Sequence, residues 1–331
     1  MSRPPQRPAR RPGGLGAPEP SDDQPRVTGK VVRAQSGFYE VDTPDGRLTA
    51  VLRGRLKKAR RAEGLVVLGD DVRVALLPQA EGDSGHVDAV IDERLPRRTV
   101  LVRRAPGAKG AWSQDVVVAN IDQLVPTFSV RDPEPSLRML DRFLALAEMD
   151  HVASAIVFTK LDLGAPPAVV EAMREYARIG YPVIGCSLAT GEGIAEVRAQ
   201  LAGRVSAVVG PSGVGKSSLL NQVEPGLDLK VGDVSEALHK GRHTTRVGVL
   251  HALSTGGLVA DTPGLREIGI WQVNPADLEL GFVEFRPLLD ACRFSNCSHI
   301  HEPGCAVRAA VADGTIWRAR YESYAAMLND A

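Results

Sequence analysis

The chain has 331 residues, and its 40 basic and 40 acidic side chains balance, so no whole-molecule field drives it onto nucleic acid. A hydrophobic content of 44% is typical of a globular protein with a substantial core, and no stretch approaches the roughly 18 apolar residues that predict a membrane span. The Arg- and Pro-rich start lacks the apolar region of a secretory signal, so we expect a cytoplasmic protein without membrane contact.

The N-terminal quarter divides into a tail and a strand-rich region. Residues 1–25 mix Pro, Gly, Arg and acidic residues with almost no large apolar side chains, which predicts a disordered tail. Residues 26–97 show short strands and turns, including the hairpin signal Pro44-Asp45-Gly46. About five short strands in this length predict a small closed β-barrel, of OB-fold or SH3-like type.

A basic run follows one of these strands. Six positive charges fall within nine residues, at Arg53, Arg55, Lys57, Lys58, Arg60 and Arg61. Such a run is either a solvated loop or part of a face that binds an oligonucleotide through its phosphates, and both interpretations stay open. Aromatic side chains are scarce in the barrel region, so contact with the RNA backbone is favoured over base reading.

Within residues 98–272 the sequence pattern changes at about Asn120, after which apolar strands alternate with amphipathic helices. This alternation predicts an α/β domain with a mainly parallel sheet. The strand candidates are Ile121–Val130, Ala153–Phe158, Tyr181–Gly185, Val205–Val209, Val247–Leu253 and Leu258–Ala260. Pro126 conflicts with the first of them unless that strand is bulged or lies at an edge. Residues 273–331 are predicted to form a mainly helical module.

A phosphate-binding loop follows the strand Val205–Val209. The sequence GPSGVGKS at residues 210–217 fits G-x-x-x-x-G-K-[ST] and opens a helix, which is the context this motif requires. Lys216 should reach the β- and γ-phosphates, and the Ser217 hydroxyl should ligate Mg²⁺. The residues predicted to contact the nucleotide here are Gly210, Pro211, Ser212, Gly213, Val214, Gly215, Lys216, Ser217 and Ser218.

Two further segments have the pattern of nucleotide-dependent switches. The sequence DTPG at residues 261–264 ends a strand, which places Asp261 towards Mg²⁺ and lets the Gly264 N–H reach the γ-phosphate. The sequence GRHTT at residues 241–245 lies between this motif and the phosphate loop. Thr245 is the first candidate for the threonine that closes over Mg²⁺, and Thr244 is the alternative.

Guanine selection requires a carboxylate that accepts from the N1–H and the exocyclic amine of the base. The sequence TKLD, comprising Thr159, Lys160, Leu161 and Asp162, is similar to the guanine motif [N/T]KxD. Asp162 would make the bidentate contact, and the Lys160 stem would pack over the base. The other interpretation is a helix cap at Asp162. Ser187, after the next strand, lies in the predicted second base-contacting loop.

Metal-ligand residues are concentrated near the C-terminus. Cys292, Cys297, His299 and Cys305 offer three thiolates and one imidazole within 14 residues. This set predicts a structural, tetrahedral Zn²⁺ site, because no coordination position remains for a substrate. His301 competes with His299 as the fourth ligand on spacing alone.

The motif order, with base-recognition loops before the phosphate loop and switches, resembles that of circularly permuted GTPases. With the barrel and the Cys/His module, residues 26–320 resemble the ribosome small-subunit-dependent GTPase A family (RsgA, also called YjeQ). The resemblance implies GTP/GDP with Mg²⁺, one structural Zn²⁺ held by His299 rather than His301, and a monomer. It also implies slow GTP hydrolysis stimulated by the small ribosomal subunit, and a role in late maturation through rRNA binding and nucleotide-dependent release.

Leu265 follows DTPG, where water-orienting GTPases carry Gln, so we expect slow intrinsic hydrolysis. His243 is a candidate substitute, and an exposed loop histidine is the other interpretation. The catalytic candidates are therefore Lys216, Thr245 and His243. Two other functions remain open, an RNA-binding zinc protein with a non-hydrolysing nucleotide site and a P-loop ATPase.

Overall fold

A computed structural model describes residues 23–54, 66–78, 87–106, 112–229, 248–261 and 275–330. The side chains of residues 103–106, 112–115, 261, 275 and 276 are not part of this description. The predicted disordered tail, residues 1–25, falls almost entirely outside these ranges.

The first five strands close into a barrel, as predicted. The ring closes because β1 pairs with both β2 and β4, while β3 and β4 both pair with β5. Alternating apolar residues fill the barrel, and Val31, Val41, Val74 and Ile91 are each fully buried. The strands are β1 Arg26–Gln35, β2 Phe38–Thr43, β3 Gly46–Leu52, β4 Asp71–Leu76 and β5 Ala89–Arg94.

Two details of the barrel bear on the sequence predictions. The hairpin turn is confirmed, since Thr43 pairs with Gly46 and its hydroxyl donates to the Gly46 carbonyl at 2.7 Å. Of the basic run, Arg53 forms an ion pair with Asp92, which Arg26 also contacts at 3.2 Å. Arg53 therefore stabilises the barrel wall. The remaining five basic residues of the run lie outside the described ranges.

A hairpin to which the sequence analysis assigned no element joins the barrel to the α/β region. It consists of β6, Val100–Pro106, and β7, Trp112–Ala119. The joint is tight at Gly69, where an added Cβ would lie 2.0 Å from the Ala119 carbonyl oxygen. Asn120 donates to the Gly69 carbonyl at 3.1 Å, so the barrel is bonded directly to the segment that leads into the parallel sheet.

The α/β sheet has the order β11-β10-β8-β12-β14-β13, and its neighbours are parallel except for β13–β14. This confirms the mainly parallel sheet. At its far side, β13 pairs antiparallel with barrel strand β1 through Val249 and Arg33, so one hydrogen-bonded sheet runs through both domains. The strands are β8 Gln123–Ser129, β9 Ala153–Ser154, β10 Ile156–Thr159, β11 Val183–Gly185, β12 Val205–Val209, β13 Val249–Ala252 and β14 Leu258–Asp261.

Pro126 lies in a central strand, so the conflict noted in the sequence is real and a ladder hydrogen bond is lost there. β8 is flanked by β12 and by β9 and β10, and Pro126 pairs with Val209. The Ala155 N–H donates to the Leu124 carbonyl at 3.0 Å. In a parallel ladder the Ala155 carbonyl would accept from residue 126, but proline has no N–H. The ladder is interrupted there, and the predicted strand Ala153–Phe158 divides into β9 and β10 around Ala155.

Four helices cover the two faces of this sheet. The amphipathic segment LRMLDRFLALAEM forms the first, whose start is capped by the Ser136 hydroxyl accepting from the Met139 N–H at 3.3 Å. A short 3₁₀ helix, Leu161–Leu163, follows β10. The helices are α1 Leu137–Met149, α2 Pro167–Ile179, α3 Ile194–Leu201 and α4 Lys216–Val223.

The C-terminal module is helical, as predicted, and a buried ionic network attaches it to the α/β domain. Its elements are the 3₁₀ helices Pro275–Gly281 and Arg286–Ala291, then α5 Ala306–Ala312 and α6 Arg318–Asn329. Arg320 of α6 is fully buried and donates to Asp141 of α1 and to Glu284, each at 2.8 Å. Tyr176 of α2 donates to the same Asp141 at 2.6 Å. Within the described ranges, every helix is too short or too polar to cross a bilayer.

Candidate functional site

The phosphate loop lies between β12 and α4, at the carboxyl end of the parallel sheet. Gly210, Gly213 and Gly215 have positive φ angles of 142°, 82° and 92°, a backbone that L side chains rarely adopt. At Gly210 an added Cβ would lie 2.0 Å from the Thr127 carbonyl oxygen, so only glycine fits against β8. The loop therefore has the curled backbone that directs N–H groups towards a phosphate, immediately before a helix N-terminus.

Lys216 stands at the start of α4 and turns back over this loop. Its Nζ donates to the carbonyls of Gly210 and Pro211, at 2.8 and 2.6 Å. The ammonium group thus lies at the loop that would hold the phosphates. Ser217 and Ser218 are half-buried in the first turn of α4, while Ser212 and Gly213 are exposed and Val214 is buried.

The guanine-type motif and the phosphate loop are hydrogen-bonded to each other. Thr159 ends β10 and is fully buried, and its hydroxyl donates to the Val214 carbonyl of the phosphate loop at 2.6 Å. This bond fixes the distance between the part of the site that would read the base and the part that would hold the phosphates. A threonine therefore serves here as the link between the two loops.

Asp162 and Ser187 meet at the base end of the site. The Ser187 hydroxyl donates to Asp162 Oδ1 at 2.6 Å, although 25 residues separate them. Asp162 is exposed in the short 3₁₀ helix, where no side-chain cap forms, so the alternative role of a helix cap is not observed. Leu188 follows Ser187 and approaches the phosphate loop, with its Cδ1 3.6 Å from the position of a Cβ on Gly215.

Lys160 has a partner that sequence reasoning missed. Its φ is 62°, and its Nζ donates to the carbonyl of Asp132, which itself has a φ of 50°. Pro133 lies 3.7 Å from the position of a Cβ on Gly213. The turn after β8 therefore contacts both Lys160 and the phosphate loop. The sequence feature that could have indicated this contact is the Pro-rich turn at the carboxyl end of β8.

The loop between β10 and β11 is held by close packing around Gly185. Leu161 lies 2.7 Å from the position of a Cβ on Gly185, and the Cys186 N–H donates to the Phe158 carbonyl at 2.8 Å. Cys186 is fully buried, and burial raises the pKa of its thiol to about 11. This cysteine is therefore a packing residue of the core.

The switch residues are only partly described. β14 is parallel to β12 and ends at Asp261, which places the Asp261 backbone at the same edge of the sheet as the phosphate loop. Its side chain is not described. His243, Thr244, Thr245, Gly264 and Leu265 lie outside the described residues, so their predicted roles stay predictions.

The four predicted metal ligands converge. Their ligand atoms all lie within 4.8 Å of one another, although 13 residues separate Cys292 from Cys305. The Sγ atoms of these two cysteines are 4.0 Å apart, and His299 Nδ1 lies 3.6 and 3.4 Å from them. Metal–sulfur bonds of about 2.3 Å in a tetrahedron place sulfur atoms about 3.8 Å apart, so the cluster is close to the size that one metal ion requires.

His299, rather than His301, belongs to this cluster. The His299 side chain is 2% exposed, while His301 is exposed at the surface. The ring nitrogen that faces away from the thiols, Nε2, lies 2.9 Å from Glu279 Oε2. Glu279 comes 20 residues earlier, on the 3₁₀ helix Pro275–Gly281, and the sequence analysis did not identify it.

Two family models match this chain. The RsgA N-terminal domain matches residues 28–83, and the RsgA GTPase domain matches residues 94–271. The chain belongs to the RsgA GTPase family. It is therefore a GTP-hydrolysing enzyme that binds guanine nucleotide, and the expectations of this family, activity and nucleotide are confirmed.

Relatives in the RsgA family align with almost the whole chain. The protein named "Small ribosomal subunit biogenesis GTPase RsgA" from Gemmatimonas aurantiaca is 45% identical over 300 residues, covering 90% of this chain and 95% of that protein. The protein of the same name from Moorella thermoacetica is 40% identical over 302 residues, covering 91% and 96%.

Two solved structures share the fold. YjeQ from Thermotoga maritima has a TM-score of 0.73 and 32% identity, covering 92% of this chain and 98% of that one. YloQ, described as a circularly permuted GTPase, has a TM-score of 0.67 and 28% identity, covering 95% and 97%. The predicted circular permutation, with an N-terminal barrel and a C-terminal Cys/His module, is confirmed.

Proposed function

We propose that this RsgA-family GTPase hydrolyses GTP slowly by itself and is stimulated by the small ribosomal subunit. It assists late maturation of that subunit by binding rRNA and releasing it in a nucleotide-dependent way. The observation that carries the proposal is near-complete alignment with proteins named for small-subunit biogenesis, at up to 45% identity over 90% of the chain. It acts as a cytoplasmic monomer, divided into domains at residues 26–97, 98–272 and 273–331.

The nucleotide lies across the two loops that Thr159 joins. Asp162 accepts from the guanine N1–H and amine, with Ser187 holding the carboxylate and the stem of Lys160 packed over the base. Backbone N–H groups of residues 210–218 hold the phosphates, and Lys216 leaves the loop carbonyls to neutralise phosphate charge. The observed bonds from Thr159 to Val214 and from Ser187 to Asp162 support this division of roles.

Magnesium would be held by Ser217 and Thr245, and Asp261 is the carboxylate expected to be directed towards it. The metal supplies positive charge that neutralises the β- and γ-phosphate oxygens when bound. Gly264 contacts the γ-phosphate through its N–H, and His243 positions the attacking water in place of the missing glutamine. Leu265 cannot hold that water because its side chain is apolar, so a partner that orders the switches accelerates the reaction.

Zinc occupies the cluster of Cys292, Cys297, His299 and Cys305. The fit rests on the donor set and on ligand atoms within 4.8 Å of one another. Three thiolates and an imidazole would satisfy one zinc ion, so the metal would shape the module and leave no position for a substrate. The barrel and this module each provide a surface for rRNA.

The test is GTP turnover with and without purified small ribosomal subunits. We expect a low basal rate, strong stimulation by small subunits, and no stimulation by large subunits. The Lys216→Ala variant should lose both rates, because the phosphates lose their main side-chain cation. Fast unstimulated hydrolysis would contradict the proposal. Binding of RNA without any turnover would instead favour a non-hydrolysing zinc protein, and equal use of ATP would favour a P-loop ATPase.

A further inference from the structure

The buried imidazole of His299 has different partners on its two nitrogens. Nδ1 faces the thiols of Cys292 and Cys305, at 3.6 and 3.4 Å. Nε2 faces the Glu279 carboxylate at 2.9 Å. We propose that Glu279 is a positioning residue for the metal centre, which fixes the tautomer and the ring orientation of His299 so that Nδ1 binds the ion. This inference rests on the proposed zinc site.

The chemistry of the ring explains why a carboxylate is needed at that place. A neutral imidazole carries its single proton on one nitrogen and offers a lone pair on the other. An ionised carboxylate only accepts hydrogen bonds, so it favours the tautomer that has the proton on Nε2. That tautomer leaves the Nδ1 lone pair directed at the thiols. The other tautomer would place a lone pair against the carboxylate, and its N–H would occupy the metal position.

Glu279 is itself held in place by its neighbours in the 3₁₀ helix Pro275–Gly281. Leu278 is fully buried in the core of the C-terminal module. Gly281 lies so close to α1 that an added Cβ would be 2.9 Å from the Ala145 Cβ. The carboxylate is therefore presented to the ring from a helix that is packed against the core of the module. Ligand orientation by such outer partners contributes about 10–100-fold to metal affinity in other proteins.

The other neighbours of the His299 ring pack against it but do not select which nitrogen carries the proton. Phe285 and Tyr324 flank His299, with ring centroids 6.1 and 6.2 Å away. The Tyr321 hydroxyl donates to the His299 carbonyl at 2.8 Å, which fixes the backbone. Aromatic neighbours do not accept the Nε2 proton as strongly as a carboxylate does. Glu279 is thus the contact that determines which nitrogen remains available to the metal.

The experiment measures zinc affinity by competition with a chromophoric chelator. Glu279→Ala should bind zinc about 10–100-fold more weakly than wild type, and Glu279→Gln, which keeps an acceptor oxygen, should recover most of the loss. Asp290→Ala removes an exposed carboxylate from the same module and is the matched control, with unchanged affinity expected. Wild-type affinity in Glu279→Ala would overturn the inference. Absence of zinc binding in the wild type would instead overturn the zinc site itself.

A second measurement separates ring positioning from general weakening of the module. In a His299→Cys background the Glu279 carboxylate has no Nε2–H from which to accept a hydrogen bond. Adding Glu279→Ala to that background should therefore not lower zinc affinity further. An equal loss in both backgrounds would show that Glu279 acts without His299. If that background fails to fold, the cobalt-substituted protein replaces it. Its visible absorption bands should shift in Glu279→Ala and return towards wild type in Glu279→Gln, and unchanged bands would overturn the inference.

Discussion

Thr159 occupies a position where a single hydroxyl connects two recognition loops. The side chain is fully buried, and its bond to the Val214 carbonyl at 2.6 Å spans 55 residues of sequence. A buried carbonyl that loses a donor costs about 1–3 kcal/mol. The identity of this residue is therefore tied to the geometry of the nucleotide pocket.

Thr159→Val should weaken GDP binding about tenfold, because valine keeps the shape and removes the donor. Thr159→Ser should stay close to wild type. Thr127→Val is the matched control, since Thr127 is equally buried on the adjacent strand and donates within its own strand, to Val125 at 3.2 Å. Fluorescent GDP titration measures all three variants. Equal affinities for Thr159→Val and wild type would contradict the linking role.

Asp162→Asn should change base preference rather than abolish nucleotide binding. An amide presents donors where guanine also has donors, whereas xanthine offers a carbonyl oxygen at the position of the guanine amine. We expect weaker GDP binding and stronger xanthosine diphosphate binding, measured by competition. A variant that lost both nucleotides equally would show that Asp162 supports the loop through Ser187 instead of reading the base.

At the scale of elements, α6 is attached to the α/β domain by charge as well as by apolar packing. Arg320 lies 4.4 Å from the Phe282 ring centroid and contacts two carboxylates, one of which is 1% exposed. Removing one partner from a buried ionic network costs about 3–5 kcal/mol, because charges remain buried without compensation. The network therefore determines how firmly the C-terminal module is held.

Arg320→Met should lower the free energy of unfolding by about 3–5 kcal/mol, since Asp141 and Glu284 lose their cation. Arg318→Met is the control on the same helix. Its side chain is exposed, and a change within about 0.5 kcal/mol is expected. Urea unfolding followed by circular dichroism measures both. A similar small change for the two variants would contradict the role of the network.

Elements with strong local signals were predicted closely, and those that depend on distant partners were not. The apolar periodicity of LRMLDRFLALAEM predicted the helix α1. The G-x-x-x-x-G-K-[ST] motif predicted the phosphate loop between β12 and α4. The division of β9 from β10 depends on Pro126, which lies on a neighbouring strand. Glu279 belongs to the metal centre only through a contact across 20 residues, which no local spacing reveals.

At the scale of the whole molecule, two sites hold the C-terminal module in place, and α6 contacts both, because its Tyr321 hydroxyl donates to the His299 carbonyl. The metal cluster holds residues 292–305, while Arg320 holds α6 against α1 and α2. The nucleotide loops lie at the carboxyl ends of β8, β10 and β12 and share no residue with either anchor. Loss of the metal should therefore destabilise residues 292–305 more than the rest of the chain.

Zinc removal by a chelator should increase hydrogen exchange most strongly in residues 292–305, because the ligands lose the ion that joins them. The amides of α6 should stay better protected, and GDP affinity should change less than about threefold, because the nucleotide loops lie elsewhere. Hydrogen exchange with mass spectrometry, together with a GDP titration, measures these effects. Simultaneous and equal loss of protection in α6 and in the nucleotide loops would contradict a local role for the metal.

The junction between β1 and β13 has a consequence for solubility. A strand at the border of a sheet presents unpaired backbone groups that other chains can extend. In this protein the barrel covers part of that border, since Arg33 of β1 pairs with Val249 of β13. A fragment beginning at residue 98 would keep every nucleotide motif and yet uncover β13. We therefore expect such a fragment to aggregate edge to edge more readily than the whole chain, which gives the barrel a protective role besides any binding.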